Sequence, residues 1–115
     1  MKVTIWHNPK CATSRKVLEL IRAKGHEPEI VDYVKTPPSV GAIKAVLKEA
    51  GLKPRDLLRR RGGPYEDLGL DDPALSDAAL VKVMHEHPIL IDRPVVRSDR
   101  GTRLGRPPER VKEII

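Results

Sequence analysis

Apolar residues come in short bursts along this chain, and their spacing switches between the period of strands and that of helices. Val3-Thr-Ile-Trp6 combines β-branched and aromatic residues and reads as a buried strand. A polar loop from His7 to Cys11 follows, after which Val17, Leu18, Leu20 and Ile21 recur at helical spacing as far as Lys24, with Gly25 as the stop. Glu29 to Val34 reads as a second strand. Strand, helix and strand at this spacing predict a βαβ unit with a parallel pair and a right-handed crossover.

The middle of the chain changes period. Pro37-Pro38 breaks it, Ser39 offers an N-cap, and Ile43, Val46, Leu47 and Ala50 mark a helix closed by Gly51. Pro54 to Arg61 predicts a short helix with Leu57 and Leu58 inward, ended by Gly62-Gly63-Pro64. A loop to Pro73 leads to a helix capped by Ser76 and carried by Leu80, Val81 and Met84 to about His85. His87-Pro88 breaks the chain again, and Ile89-Leu90-Ile91 reads as an apolar strand. Beyond Asp92-Arg93-Pro94, Val95 to Ser98 is the next strand; Asp99-Arg100-Gly101 is a hairpin turn, so Thr102-Arg103-Leu104 returns antiparallel. Pro107 suits the first turn of a final helix with Val111, Ile114 and Ile115 on its buried side. The order is that of an α/β, thioredoxin/glutaredoxin-like fold: a mixed sheet flanked by helices, with a helical insert. We expect a single domain over residues 1–115. In that architecture the redox thiol sits at the N-terminus of the first helix.

Composition narrows the chemistry. Only Trp6, Tyr33 and Tyr65 are aromatic, so the core is mainly aliphatic. Twenty-two basic residues against 16 acidic ones give a net charge of +6, which favours anionic partners without choosing among nucleic acid, membrane surface and small oxyanions. One cysteine excludes a disulfide within the chain and fits a reducing compartment. The first apolar segment is too short for a signal peptide and no run approaches the length of a membrane span, so we expect a soluble, cytoplasmic protein.

Cys11 is where the chemistry concentrates. A free cysteine often behaves as a small core hydrophobe. Here its neighbours are His7, Asn8, Lys10, Thr13, Ser14 and Arg15, which are not core company. At a helix N-terminus beside cations a thiol's pKa can fall from about 8.5 to about 7, so Cys11 reads as a nucleophile. Cys11-Ala-Thr-Ser14 is a Cys-x-x-Cys motif with an oxygen in place of the second sulfur, so an external thiol must complete any redox cycle. Position 17 is Val rather than Arg, which excludes a tyrosine-phosphatase-type loop. His7 is placed either for a loop hydrogen bond or for lowering the thiol pKa, directly or through its neighbours.

Arg59, Arg93 and Arg106 each lie at the end of an element, where side chains can converge, and guanidinium groups bind two oxygens of an oxyanion at once. Most of Arg22, Arg55, Arg60, Arg61, Arg97, Arg100 and Arg110 read as solvated charge. His85-Glu86-His87 lacks metal-ligand spacing and no metal site is expected; His87-Pro88 is a helix stop.

Ile5-Trp-His-Asn-Pro-Lys-Cys-Ala-Thr-Ser-Arg15 resembles the active-site stretch of the glutaredoxin-linked arsenate reductases, the ArsC family. Similar stretches follow at Glu27-Pro28, Pro37-Pro38-Ser39, Arg55-Asp-Leu-Leu-Arg59 and Pro64 to Leu70. The strongest late ones are His87-Pro-Ile-Leu-Ile-Asp-Arg-Pro94 and Gly101-Thr-Arg-Leu-Gly-Arg-Pro107. The resemblance implies Cys11 as catalytic nucleophile, His7 as the residue that lowers its pKa, and Arg59, Arg93 and Arg106 as the substrate-binding arginines. It also implies a cis bond before Pro94. Two positions depart from the family pattern: Ala12 stands where Gly is usual, and Gly105 where some members carry a second cysteine.

The implied activity is reduction of arsenate to arsenite through a covalent Cys11–arsenic adduct resolved by glutathione and glutaredoxin. No bound cofactor is implied, and a monomer is expected without membrane or nucleic-acid partners. Two alternatives remain: an Spx-like regulator that binds RNA polymerase, or a thiol oxidoreductase of the same family with another substrate. The Spx type usually carries Cys-x-x-Cys at the front and lacks Gly-Thr-Arg-Leu-x-Arg-Pro, and on both counts this sequence sides with the reductases.

Overall fold

The structure, a computed structural model, describes every residue from Met1 to Ile115. Its contacts divide the chain into two compact units: Met1–Thr36 with Arg93–Ile115, and Pro37–Asp92.

The first unit holds the sheet. Strand β1 (Val3–His7), helix α1 (Ala12–Ala23) and strand β2 (Glu29–Asp32) form the expected βαβ unit, with β1 and β2 parallel and Ile5 opposite Ile30. Strands β3 (Val95–Ser98) and β4 (Gly101–Leu104) form the antiparallel hairpin, and β3 pairs antiparallel with β1. The order across the four-stranded sheet is β2-β1-β3-β4. Val3, Ile5 and Val96 from the sheet pack with Val17 and Ile21 of α1 and with Val111, Ile114 and Ile115. This is the aliphatic core that the residue spacing anticipates, and it fixes α1 against the sheet that carries its loop.

The second unit is helical. Helix α2 (Val40–Ala50) starts at Ser39, whose hydroxyl accepts the Ala42 N–H, and ends at Gly51 in the left-handed region at φ 67°. A single turn, α3 (Pro54–Leu57), and helix α4 (Asp77–Glu86), capped by Ser76, complete it; α4 packs on α2 and α3.

Four boundaries differ from the sequence expectation. Ile89-Leu90-Ile91 is not a strand: Pro88–Leu90 is a 3₁₀ turn, closed by Leu90 N–H to His87 and Ile91 N–H to Pro88. Ile91 makes only an isolated bridge, with Leu58, which also shortens the predicted Pro54–Arg61 helix to Pro54–Leu57. Both Leu90 and Ile91 are fully buried, and a short buried run has no period to tell a turn from a strand. Strand β2 ends at Asp32, because the Asp32 carboxylate accepts the Val34 and Lys35 N–H groups and turns the chain. The last segment is a 3₁₀ helix, Pro108–Glu113, with Pro107 just outside it; Val111, Ile114 and Ile115 are buried as expected.

Candidate active site

The thiol site is built where β1 runs out of the sheet. Cys11 is the N-cap residue of α1, with extended backbone at φ −94° and ψ 122°, so the first turn of the helix presents its free N–H groups beside the sulfur. The loop is closed by backbone bonds from Cys11 N–H to Asn8 O and Arg15 N–H to Cys11 O, both 3.0 Å. The Asn8 side chain accepts the Lys10 N–H at 3.0 Å, and Arg15 donates to the Pro9 carbonyl at 2.9 Å. The loop is thus fixed by its own polar groups, and the thiol stays partly exposed.

Ser14 is the internal strut of this loop. It is fully buried, its Oγ lies 2.6 Å from His7 Nδ1, and it accepts the Asn8 N–H at 3.1 Å. One hydroxyl therefore ties the end of β1, the loop and the first turn of α1 together. Its position three residues after Cys11, on the inner face of the helix, was visible in the sequence as a replaced sulfur but not as a strut.

Two arginines reach the sulfur. Arg106 Nη2 lies 3.6 Å from Cys11 Sγ, and its Nε donates to the Arg93 carbonyl at 2.9 Å. The Arg93 guanidinium lies near enough to lower the thiol pKa. Both arginines precede proline through a cis peptide, so the cis bond expected before Pro94 is present, and a second one precedes Pro107. Gly105 N–H donates to the Pro94 carbonyl at 2.8 Å, joining the two segments. A Cβ at Gly105 would stand 3.0 Å from Pro94 Cγ and 3.1 Å from Val17 Cγ2, so this site is built for glycine rather than for the second cysteine of some relatives.

The electrostatics follow from these contacts. Burial pushes the Cys11 thiol up, but the Ser14 N–H, the Arg93 guanidinium and the Thr13 N–H together outweigh it and hold the pKa below its ordinary value of 9.0. Burial lowers the pKa of His7; Asp32, its partner across the strands, opposes this, and Arg15 and Arg22 add to the lowering. His7 is therefore neutral near pH 7, and it meets the loop through Ser14 rather than as a cation against the sulfur.

The third arginine belongs to the helical unit. Arg59 donates its backbone N–H to Leu90 O at 2.7 Å and pairs through Nη1 with Asp92 at 3.4 Å. Asp92 is itself held by its N–H to the Leu57 carbonyl at 2.8 Å. In the same unit His85 Nδ1 bonds the Pro38 carbonyl at 2.7 Å, a structural use of the only histidine pair in the sequence.

Taken together, the first unit presents a partly exposed, acidified thiol flanked by two guanidinium groups. That arrangement suits attack by sulfur on an oxyanion, with the arginines balancing its charge.

Comparison with known proteins agrees with this geometry. A family model described as "ArsC family" matches residues 6–114. The arsenate reductase of Rhizobium meliloti (strain 1021) is 50% identical over 115 residues, covering 100% of this chain and 82% of that protein. The arsenate reductase of Escherichia coli (strain K12) is 47% identical over 113 residues, covering 98% and 80% respectively. Among solved structures, that of an arsenate reductase from Vibrio cholerae superposes with a TM-score of 0.96 at 44% identity, covering 100% of this chain and 98% of that one. Identity of this extent along the whole chain, with the thiol loop and both cis-proline arginines inside the matched residues, makes the chain a member of the ArsC family.

Proposed function

We propose that this protein is an arsenate reductase that carries out its chemistry on Cys11. The observation that carries the reading is the sulfur itself: N-cap of a helix, pKa lowered, with Arg106 at 3.6 Å and the Arg93 guanidinium beside it. Relatives named arsenate reductase cover the whole length of the chain, which supports the same substrate.

Arsenate is a tetrahedral oxyanion, and Arg93 and Arg106 offer planar N–H pairs to its oxygens. The Cys11 thiolate attacks arsenic, an S–As bond forms, and one arsenate oxygen leaves as water after protonation. The two guanidinium groups stabilise the charge on the remaining oxygens during the displacement. The adduct still contains arsenic(V), and Ser14 holds no thiol with which to resolve it. Glutathione displaces a second oxygen as water. A glutaredoxin thiolate then takes the glutathione sulfur as a mixed disulfide, leaving the electron pair on arsenic(III), and water cleaves the Cys11–arsenic bond to release arsenite and the Cys11 thiol.

Neutral His7 acts through Ser14 in this scheme, keeping the first turn of α1 aimed at the sulfur. The share of Arg59 in substrate binding rests on the family resemblance and is read by the KM for arsenate in Arg59→Ala. The whole chain works as one domain and as a monomer, in the reducing cytoplasm where glutathione is available. No helix is long and apolar enough to cross a membrane.

The choice of reductant is tested by supplying purified protein and arsenate with glutathione and either glutaredoxin or thioredoxin. Turnover with glutaredoxin and glutathione, and little with thioredoxin alone, is the expected result. Equal rates with thioredoxin alone would overturn the glutathione route.

A further inference from the structure

Tyr33 lies one residue beyond β2, at the end of the sheet from which the Cys11 loop leaves. His7 pairs with Asp32 in the parallel direction and Trp6 with Val95 in the antiparallel one. Asn8 follows the last paired residue of β1 and Tyr33 that of β2, whereas Arg93 lies two residues before Val95, the first residue of β3. Tyr33 is fully buried and Asn8 nearly so.

The Tyr33 hydroxyl is sealed from solvent and has no hydrogen-bond partner of good geometry. Burial raises its pKa; Arg93 and Asn8 lie near enough to oppose that rise, and Cys11 near enough to add to it. The group is therefore a neutral hydroxyl set beside the guanidinium that contacts the sulfur. A buried hydroxyl without a partner is destabilising, and a phenylalanine ring would fill the same volume without that cost. A hydroxyl oxygen can accept an N–H from the Arg93 fork while its proton turns to the Asn8 carboxamide, which has a lone pair beyond the one used by Lys10.

We propose that Tyr33 is a positioning residue of the thiol site, whose hydroxyl backs the Arg93 guanidinium and keeps it directed at the Cys11 sulfur. The hydroxyl limits how far the guanidinium can follow a bound anion away from the thiolate. The proposal rests on Cys11 as the working nucleophile and does not depend on arsenate as the substrate.

The test is the pH dependence of Cys11 alkylation by iodoacetamide in a double-mutant cycle of Tyr33→Phe and Arg93→Ala, with thermal melting of each variant. Tyr33→Phe should move the alkylation profile to higher pH and slow the reaction about threefold below the thiol pKa, without lowering the melting temperature. In the Arg93→Ala background the same substitution should have no further effect. If Arg93→Ala does not fold, Arg93→Lys closes the same cycle with the charge retained and the planar fork removed. An unshifted profile in Tyr33→Phe would overturn the proposal, and so would a shift that survives loss of the Arg93 guanidinium. Iodoacetamide reads the thiol directly, so a failed arsenate assay leaves this result independent.

Discussion

Arg106 stands with Nη2 3.6 Å from Cys11 Sγ while its Nε is anchored 2.9 Å from the Arg93 carbonyl. The anchor fixes the guanidinium plane, so the cation beside the sulfur is held in place rather than carried on a free side chain. A fixed cation favours anionic reagents over neutral ones. In Arg106→Ala the ratio of iodoacetate to iodoacetamide alkylation rates should fall about fivefold, the equivalent of roughly 1 kcal/mol at the surface. An unchanged ratio would show that Arg106 does not face the approaching anion.

Ser14 carries two buried partners at once, His7 Nδ1 at 2.6 Å and the Asn8 N–H at 3.1 Å. Ser14→Ala leaves both without the hydroxyl, and an unsatisfied buried group costs about 1–3 kcal/mol. The variant should show an earlier urea midpoint by that amount and a thiol that alkylates more slowly near neutral pH, because the loop no longer holds the first turn of α1 against the sulfur. Wild-type stability in this variant would contradict the strut role.

The lowered thiol pKa also has a thermodynamic consequence. Between the folded-state pKa and the ordinary value of 9.0 the unfolded chain keeps the proton and the folded chain does not. Stability therefore rises with pH through that window, is fully present above 9.0, and is lost as pH falls through the folded pKa. Chemical denaturation across this range should show the rise in the wild type and a flatter profile in Cys11→Ser.

The strand–loop–helix unit around the thiol was legible because its apolar residues keep a clear period and the only cysteine falls where the period changes. The pairing of β1 with β2 and the hairpin of β3 and β4 followed from the same spacing and from Asp99-Arg100-Gly101. Ile89-Leu90-Ile91 reads as a strand because a short apolar run, two of its three residues fully buried, matches either a strand or a turn, and Pro88 decides for the turn by starting a 3₁₀ bond pattern. The partner of His7 was hidden for a different reason: which side chain reaches Ser14 depends on how the loop folds back, not on sequence spacing. Arg93 and Arg106 could be singled out by their places at element ends, but their contacts with the sulfur are tertiary. Tyr33 carries no local signal in the sequence, since its burial near Arg93 and Asn8 is a tertiary feature.

Gly105 gives a packing prediction close to the site. A methyl group there meets the Pro94 ring and fully buried Val17 at 3.0–3.3 Å, and neither a proline ring nor a core valine yields easily. Gly105→Ala should cost about 1 kcal/mol or more through overpacking, measured as a shift of the denaturation midpoint. No loss of stability would mean that the Pro94 segment can move aside.

The central claim is that the Cys11 thiolate performs nucleophilic attack on arsenate. Its most direct measurement is arsenate-dependent turnover by the purified protein with glutathione and glutaredoxin, followed through oxidation of NADPH by glutathione reductase, for the wild type and Cys11→Ser side by side. Saturable turnover in the wild type and none above background in Cys11→Ser is the predicted result. A wild-type rate that does not depend on arsenate, or one that survives loss of the sulfur, would contradict it.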